Sequence, residues 1–288
     1  MFKNVLVGVD GRSYGRDAIA LASQLARADG ALTLAHVHAG ELALMHAIAP
    51  GVLEEEAAAS KKLLEDERAA AGVQAGLVSV VAASPGAGLH RQAEEQGADL
   101  LVVGSCSRSA LGRVTLGDDT RAALNGAPCA VAVAARGYAS LPKPIATVGV
   151  AWNGSPEAEH ALAVAKQVAQ DTHARVHALE VVTIPSYAFT GLVAPGMGDS
   201  IERMLADANE RMGALADVQG RAVYGLAGEE LAAFGDEVDL LVVGSRGYGP
   251  VKRLMLGSTS EYLERHARCS LLVLPRLPAH EAARPAAA

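Results

Sequence analysis

Asp99–Ser105 reads DLLVVGS, and Asp239–Ser245 reads DLLVVGS again, 140 positions later. The flanks decide whether a seven-residue identity is a duplication, and they keep register. At the same offset Gly104 meets Gly244, Gly117 meets Gly257 and Cys129 meets Cys269. Toward the N-terminus the offset becomes 143: Val7–Gly11 (VGVDG) falls on Val150–Gly154 (VAWNG), and Ala31–Val37 falls on Ala174–Glu180. A period near 140 residues is a domain and not the unit of a solenoid.

Each half alternates apolar runs with helical periodicity. In the first, strands are predicted at Asn4–Val9, Leu32–Val37, Leu77–Ala82, Leu100–Gly104 and Ala130–Ala134. Helices are predicted at Asp17–Ala28, Val52–Ala71, Ala87–Gln96 and Asp118–Leu124. The second half repeats the order, with strands near Thr147–Trp152, Arg175–Val182, Arg221–Leu226, Leu240–Gly244 and Leu271–Leu274. Uninterrupted apolar strands belong to sheets covered on both faces. Alternation with helices makes the fold α/β: two tandem doubly wound domains, each a mainly parallel sheet flanked by helices. The expected domains are residues 1–136 and 145–276, joined by a linker at 137–144 (GYASLPKP) and followed by a frayed tail at 277–288.

Composition narrows the function. Half of the residues are hydrophobic and 20% are charged, which is too apolar for a disordered chain. No apolar stretch approaches the length of a membrane helix, and MFKNVLVGVDG reaches Lys3 and Asp10 too soon for a signal peptide. The expectation is a cytoplasmic protein without membrane attachment. A net charge of −7 and few aromatics (Phe 3, Tyr 6, Trp 1) argue against nucleic acid as a partner. The halves hold 12 and 13 basic residues against 15 and 17 acidic ones, so neither is a polyanion surface. Three cysteines, with no Cys-x-x-Cys, make neither a disulfide framework nor a zinc site. His36 and His38 share one strand face, where packed or solvated rings are the ordinary outcome.

In an open α/β sheet, ligands bind beyond the carboxyl ends of the strands. After the second DLLVVGS come Gly244-Ser-Arg246-Gly247, nine residues, and then Gly257-Ser258-Thr259-Ser260, which runs into the helical EYLE. A strand–loop–helix start of this kind offers unpaired backbone N–H groups and the positive end of a helix dipole. Hydroxyls of Ser258, Thr259 and Ser260 add donors, and Arg246, Lys252 and Arg253 add positive charge. The plainer alternative is that the glycines turn the chain and Ser258 caps the helix. No Walker lysine motif occurs.

The spacing Gly-x2-Gly-x9-Gly-Ser/Thr, matched without a gap over residues 244–258, resembles that of ATP-binding universal stress proteins. VGVDG at Val7–Gly11 and NGSPEA at Asn153–Ala158 resemble the family's first strand and helix entry, and two tandem copies cover essentially the whole chain. The resemblance implies a five-stranded Rossmann-like fold (adenine nucleotide alpha hydrolase-like) and a cytoplasmic location. It implies ATP, often with Mg²⁺, as a regulatory ligand in a stress-response protein, and dimers formed partly by pairing of the last strands. Adenine and ribose contacts would fall on Ala151, Asn153, Val181 and Val243. Phosphate contacts would fall on Gly244, Arg246, Gly247, Gly257, Ser258, Thr259 and Ser260. The family usually has Asp where Asn153 stands; Asn keeps an acceptor oxygen, so binding is expected to survive with altered geometry or affinity. Trp152 either packs near the adenine or fills core.

The first half keeps Asp10 but replaces the cradle. Ser107 stands where the second glycine belongs, and Asp118 stands where Ser258 does. A carboxylate about 4 Å from a phosphate charge costs on the order of 4 kcal/mol at an effective dielectric of 20. The first site is therefore expected to reject a triphosphate, leaving it for another small molecule or a structural role. Pairing Ala130–Ala134 with Leu271–Leu274 would make the chain an internal pseudo-dimer, against the alternative of two independent domains; a homodimer of two such chains is a further option. Pro185–Asp199, rich in Gly and Pro, is a candidate lid. The alternatives to a regulatory ATP-binding protein are a slow ATP hydrolase or phosphoryl-transfer enzyme on the same fold, and a dimerisation scaffold without ligand. No motif supplies catalytic residues.

Overall fold

The computed structural model describes residues 1–39, 52–106, 110–115, 117–140, 143–183, 197–245 and 254–276. The first half comprises β1 (Phe2–Gly8), α1 (Ser13–Leu25), β2 (Ala26–Ala39), α2 (Val52–Ala71), β3 (Gly76–Ala82), α3 (Pro85–Glu95), β4 (Leu100–Gly104), α4 (Asp118–Leu124) and β5 (Ala130–Ala134). The second comprises β6 (Thr147–Trp152), α5 (Pro156–Thr172), β7 (Arg175–Val182), α6 (Met197–Gly213), β8 (Gln219–Tyr224), α7 (Ala227–Phe234), β9 (Leu240–Gly244), α8 (Ser258–His266) and β10 (Ser270–Leu274). Two helix starts carry the same device. Ser84 and Ser155 cap α3 and α5, accepting from the backbone N–H of Ala87 and Ala158, and each is followed by a proline that needs no N–H partner.

Several boundaries differ from the sequence reading. The first helix starts four residues earlier than Asp17, directly after the turn at Gly11 (φ 73°), and ends at Leu25 because Ala26 is already drawn into the ladder opposite Phe2. β8 ends at Tyr224, since Gly225 and Leu226 lead into α7. The repeat offset at the second strand is 144, not 143. Val5 pairs with Leu32 where its counterpart Val148 pairs with Val176. The extra residue is His173, left-handed (φ 59°) at the end of α5, where α1 passes straight into its strand.

Strand order within each half is 3-2-1-4-5, all parallel, so the topological switch lies between β1 and β4 and between β6 and β9. The repeated heptapeptide builds this junction twice. Asp99 accepts from the backbone N–H of Lys3 and Asn4 (2.8 and 2.9 Å), and Asp239 from those of Ala146 and Thr147 (both 2.9 Å). The four apolar residues that follow are buried in both strands. The glycine lies against the first helix, and the serine is buried at the strand's carboxyl end.

The last strands run antiparallel, with Leu271 opposite Val133, Leu272 opposite Ala132 and Val273 opposite Val131. This joins the halves into a ten-stranded sheet in which β5 and β10 cover each other's edges. Strand alternation sorts the seam onto two faces. Ala130, Ala132, Ala134, Leu272 and Leu274 join one core cluster; Val131, Val133, Leu271 and Val273 join the other. Each core cluster draws residues from both sides of the seam. Arg121 of α4 pairs at 2.5 Å with the buried Glu264 of α8 across the same junction. The described part of the linker is tied to α1. Asp17, 2% exposed, accepts from the N–H of Gly137 and Ala139 (both 2.8 Å), and Gln24 bonds the backbone of Lys143 and Ile145.

Candidate functional site

A cavity of about 520 Å³ opens at the carboxyl ends of β6 and β9. Its apolar side is made by Ala151, Val181 and Val243, and its polar side by Asn153, Gly244, Gly257, Ser258, Thr259 and Ser260. Nine of the eleven residues singled out from the sequence thus line one cavity. Arg246 and Gly247, with Lys252 and Arg253, lie outside the described residues. So do residues 185–196 of the candidate lid, whose last three positions, 197–199, open α6.

The floor is set by β6. Asn153 Oδ1 accepts from the N–H of Ser155 (3.1 Å), with Gly154 at φ 70° making the turn. In the first half Asp10 Oδ1 accepts from Arg12 N–H at the same distance. Asp and Asn therefore build the same loop; Asn153 lacks the charge and carries an amide donor in place of the second acceptor oxygen. The polar wall is the start of α8. Its N-cap is Gly257 and no side chain caps it, so Ser258 is the first helical residue and not the cap. Among the described residues, the N–H groups of Ser258, Thr259 and Ser260 make no hydrogen bond, and they stand at the positive end of a nine-residue helix. The approach to this wall is anchored by the buried Leu254 and Leu256. Leu254 exchanges backbone bonds with Gly126 and Ala127 of the other half (2.9 and 3.0 Å).

Gly244 lines the cavity and also serves the close packing of β9 on α5, because a Cβ there would meet Glu157 Cβ at 2.9 Å and Glu157 O at 3.1 Å. Trp152 is half-buried, lines the cavity and packs against the core beside it. The sequence reading missed Leu179 and Leu231, which extend the apolar side, and Ser245, whose buried Oγ has no hydrogen-bond partner among the described residues. Leu179 was findable, two residues before Val181 on the same strand face. Glu157 was missed as well; it lines the cavity and is held 3.6 Å from Arg276.

The first half has its own cavity, about 470 Å³, at the matching switch point. Asp10, Asp118 and Asp119 line it. Asp118 and Asp119 are both exposed. Their repulsion of a phosphate therefore falls toward the aqueous value of about 1 kcal/mol per pair at 4 Å, below the figure reasoned from sequence. His36 and His38 stack at 6.3 Å and bond Ser60 and Ser79 (2.9 and 3.0 Å). Burial chiefly, and His38 next, hold the His36 imidazole below its ordinary pKa. Among the described residues no group of three His, Cys, Asp or Glu is placed to hold a metal, and no helix is long and apolar enough to cross a membrane.

The chain matches the Universal stress protein family over residues 1–135 and again over 144–275. It is 36% identical over 136 residues to a universal stress protein of Thermus aquaticus, covering 44% of this chain and 97% of that one. It is 33% identical over 183 residues to a universal stress protein of Mycobacterium bovis, covering 61% of each chain. Among solved structures, a universal stress protein from Archaeoglobus fulgidus superimposes with a TM-score of 0.62 at 20% identity, covering 95% of this chain and 98% of that one. One from Pseudomonas aeruginosa gives 0.62 at 14% identity, covering 95% and 93%. At those identities the shared property is the fold.

Proposed function

The chain belongs to the universal stress protein family, and from that premise we propose that its C-terminal half binds ATP as the regulatory ligand of a cytoplasmic stress-response protein. The carrying observation is the uncapped start of α8 facing an apolar slot across one cavity. Purine rings fit the slot between Val181, Leu231 and Val243. The phosphates meet the N–H groups and hydroxyls of Ser258, Thr259 and Ser260. Ser245 Oγ, buried and unpartnered, has a bond to give to such a ligand. Mg²⁺ would arrive on the phosphates, since the described residues offer no carboxylate cage for it. Binding would order the loops around the cradle and change the surface shown to partner proteins. Residues 1–136, carrying the altered cradle, are the half that does not take ATP, and 145–276 the half that does.

The test uses the full chain, because β5 and β10 leave bare edges if the halves are separated. Trp152 is the chain's one tryptophan and lines the cavity, so its fluorescence reports occupancy directly. ATP is expected to change that signal saturably. Ser258→Asp places a carboxylate against the phosphates and should weaken ATP by tenfold or more, the lower part of the roughly 1–4 kcal/mol range for a charge pair at 4 Å, because Ser258 is exposed. Unchanged affinity in Ser258→Asp would remove the cradle assignment. Turnover above about 1 s⁻¹ would assign an ATP hydrolase instead.

A further inference from the structure

The N-terminal cavity keeps the slot of its twin and adds carboxylates to its wall, while Tyr14 stands at the position of the twin's Glu157. Val9, Val37, Leu89 and Val103 stand where Trp152, Val181, Leu231 and Val243 stand in the other half. At three polar positions a neutral side chain becomes a carboxylate: Asp10 for Asn153, Asp118 for Ser258 and Asp119 for Thr259. One guanidinium opposes them among the described lining residues. It is that of Arg12, which donates to Tyr14 Oη at 2.6 Å and lies in the field of Asp10 and Asp119. Among the described lining residues three carboxylates thus face one cation. The positive start of α4 is met by its own first-turn carboxylates, Asp118 and Asp119.

A second observation points independently to a ligand. Ser105 is 0% exposed, lines this cavity, and its Oγ has no hydrogen-bond partner among the described residues. Buried hydroxyls are nearly always paired, so this one marks where a polar group of a bound molecule would sit. The described carboxylates do not converge as a metal site requires. They stand beside an apolar slot, which suits a cation that carries an apolar body.

We propose that the N-terminal cavity is a second binding site whose ligand is an organic amine, an ammonium group on an apolar body, held by Asp118, Asp119 and Asp10 with its body against Val37, Leu89 and Val103. An ammonium carries three donors and no acceptor, which matches a wall of carboxylates. The inference stands apart from the assignment of ATP to the other half.

The chain supplies a reporter for each cavity. Cys106 is half-buried and lines the N-terminal one. Cys129 and Cys269 are buried, and burial pushes each thiol up to about 12, so near neutral pH a maleimide reads Cys106 in the native protein. Trp152 reads the other cavity. Cys106 modification is measured on the full chain at constant ionic strength with spermidine, phenethylamine, adenosine or ATP. Spermidine or phenethylamine is expected to slow it saturably by fivefold or more, while ATP leaves it unchanged. The exposed pair Asp118→Asn/Asp119→Asn should weaken that protection about tenfold, from two screened charge pairs. Asp10→Asn, which keeps the Oδ1 acceptor used by Arg12, should weaken it several-fold and serves if the double variant does not fold. The proposal is overturned if neither amine protects at millimolar concentration, if adenosine or ATP protects as well as the amines, or if protection survives the carboxylate substitutions. Amine protection at Cys106 without an ATP response at Trp152 would remove the ATP assignment and leave this one standing.

Discussion

Replacing Leu272 by alanine tests whether the two halves share one cooperative core. Leu272 is fully buried and faces Ala132 across the antiparallel seam. On its face of the sheet β5 offers Ala130, Ala132 and Ala134, none of which has a side chain that can swing into the space left behind. Three buried carbons lost at about 0.8 kcal/mol each forfeit about 2.4 kcal/mol of transfer free energy. The residual cavity adds to this, and buried Leu→Ala changes span about 3–5 kcal/mol. With the alanines of β5 unable to close the gap, about 4 kcal/mol is expected. At an unfolding entropy of about 2.1 cal/mol/K per residue, 288 residues give about 0.6 kcal/mol/K, so Tm should fall by about 7 °C. Trp152 fluorescence follows the C-terminal half through a urea titration. Modification of Cys129, in a Cys106→Ser/Cys269→Ala background, follows the N-terminal half. Because both cores cross the seam, the two probes should shift together by the same free energy. A Trp152 transition that moves while Cys129 keeps its original protection would refute the single core.

Asp17→Ala should destabilise the chain by about 3 kcal/mol in urea denaturation, since it removes a buried carboxylate that accepts two linker N–H bonds (both 2.8 Å); Asp17→Asn, keeping one acceptor oxygen, should cost about half of that, and equal losses would show that the linker is not held this way. The thiols of Cys129 and Cys269, raised by burial to about 12, contribute stability that is complete below the unfolded value near 9 and lost as pH climbs from 9 toward 12. At pH 10 each should cost about 1.4 kcal/mol; Cys129→Ala/Cys269→Ala should therefore lose less stability between pH 8 and 10 than the original chain, and an identical loss would mean that the thiols ionise in the folded state.

The strand and helix order was legible because its signals are short-range. Val52–Ala71, Leu100–Gly104, Asp118–Leu124 and Ala130–Ala134 form with the boundaries their periodicity implies. Boundaries set by partners were not legible. Ala26 carries no strand signal of its own and is extended because Phe2 pairs with it. Most of the candidate site was readable because glycines and hydroxyls at a strand end fall together on the chain and so in space. Leu231 was not, since it reaches the cavity from α7 by packing alone. The repeated DLLVVGS announced a duplication without disclosing the task of its first residue. Asp99 and Asp239 start the neighbouring strands by accepting backbone N–H groups some 95 positions away in chain order.

Sequence by itself determined that the chain is a duplicated α/β unit, that one copy ends its fourth strand with hydroxyls at a helix start, and that the other places carboxylates there. Periodicity, turn chemistry and residue identity act over a few neighbours and survive being read in one dimension. Tertiary structure alone decided that β5 and β10 close on each other, that Gly244 answers to the backbone of α5, and that Asp10 and Asn153 build the same loop. It also decided that three carboxylates and a buried, unpaired serine line one wall. Those outcomes depend on which surfaces meet at distances of a few ångströms, a quantity set by the packing of the whole sheet.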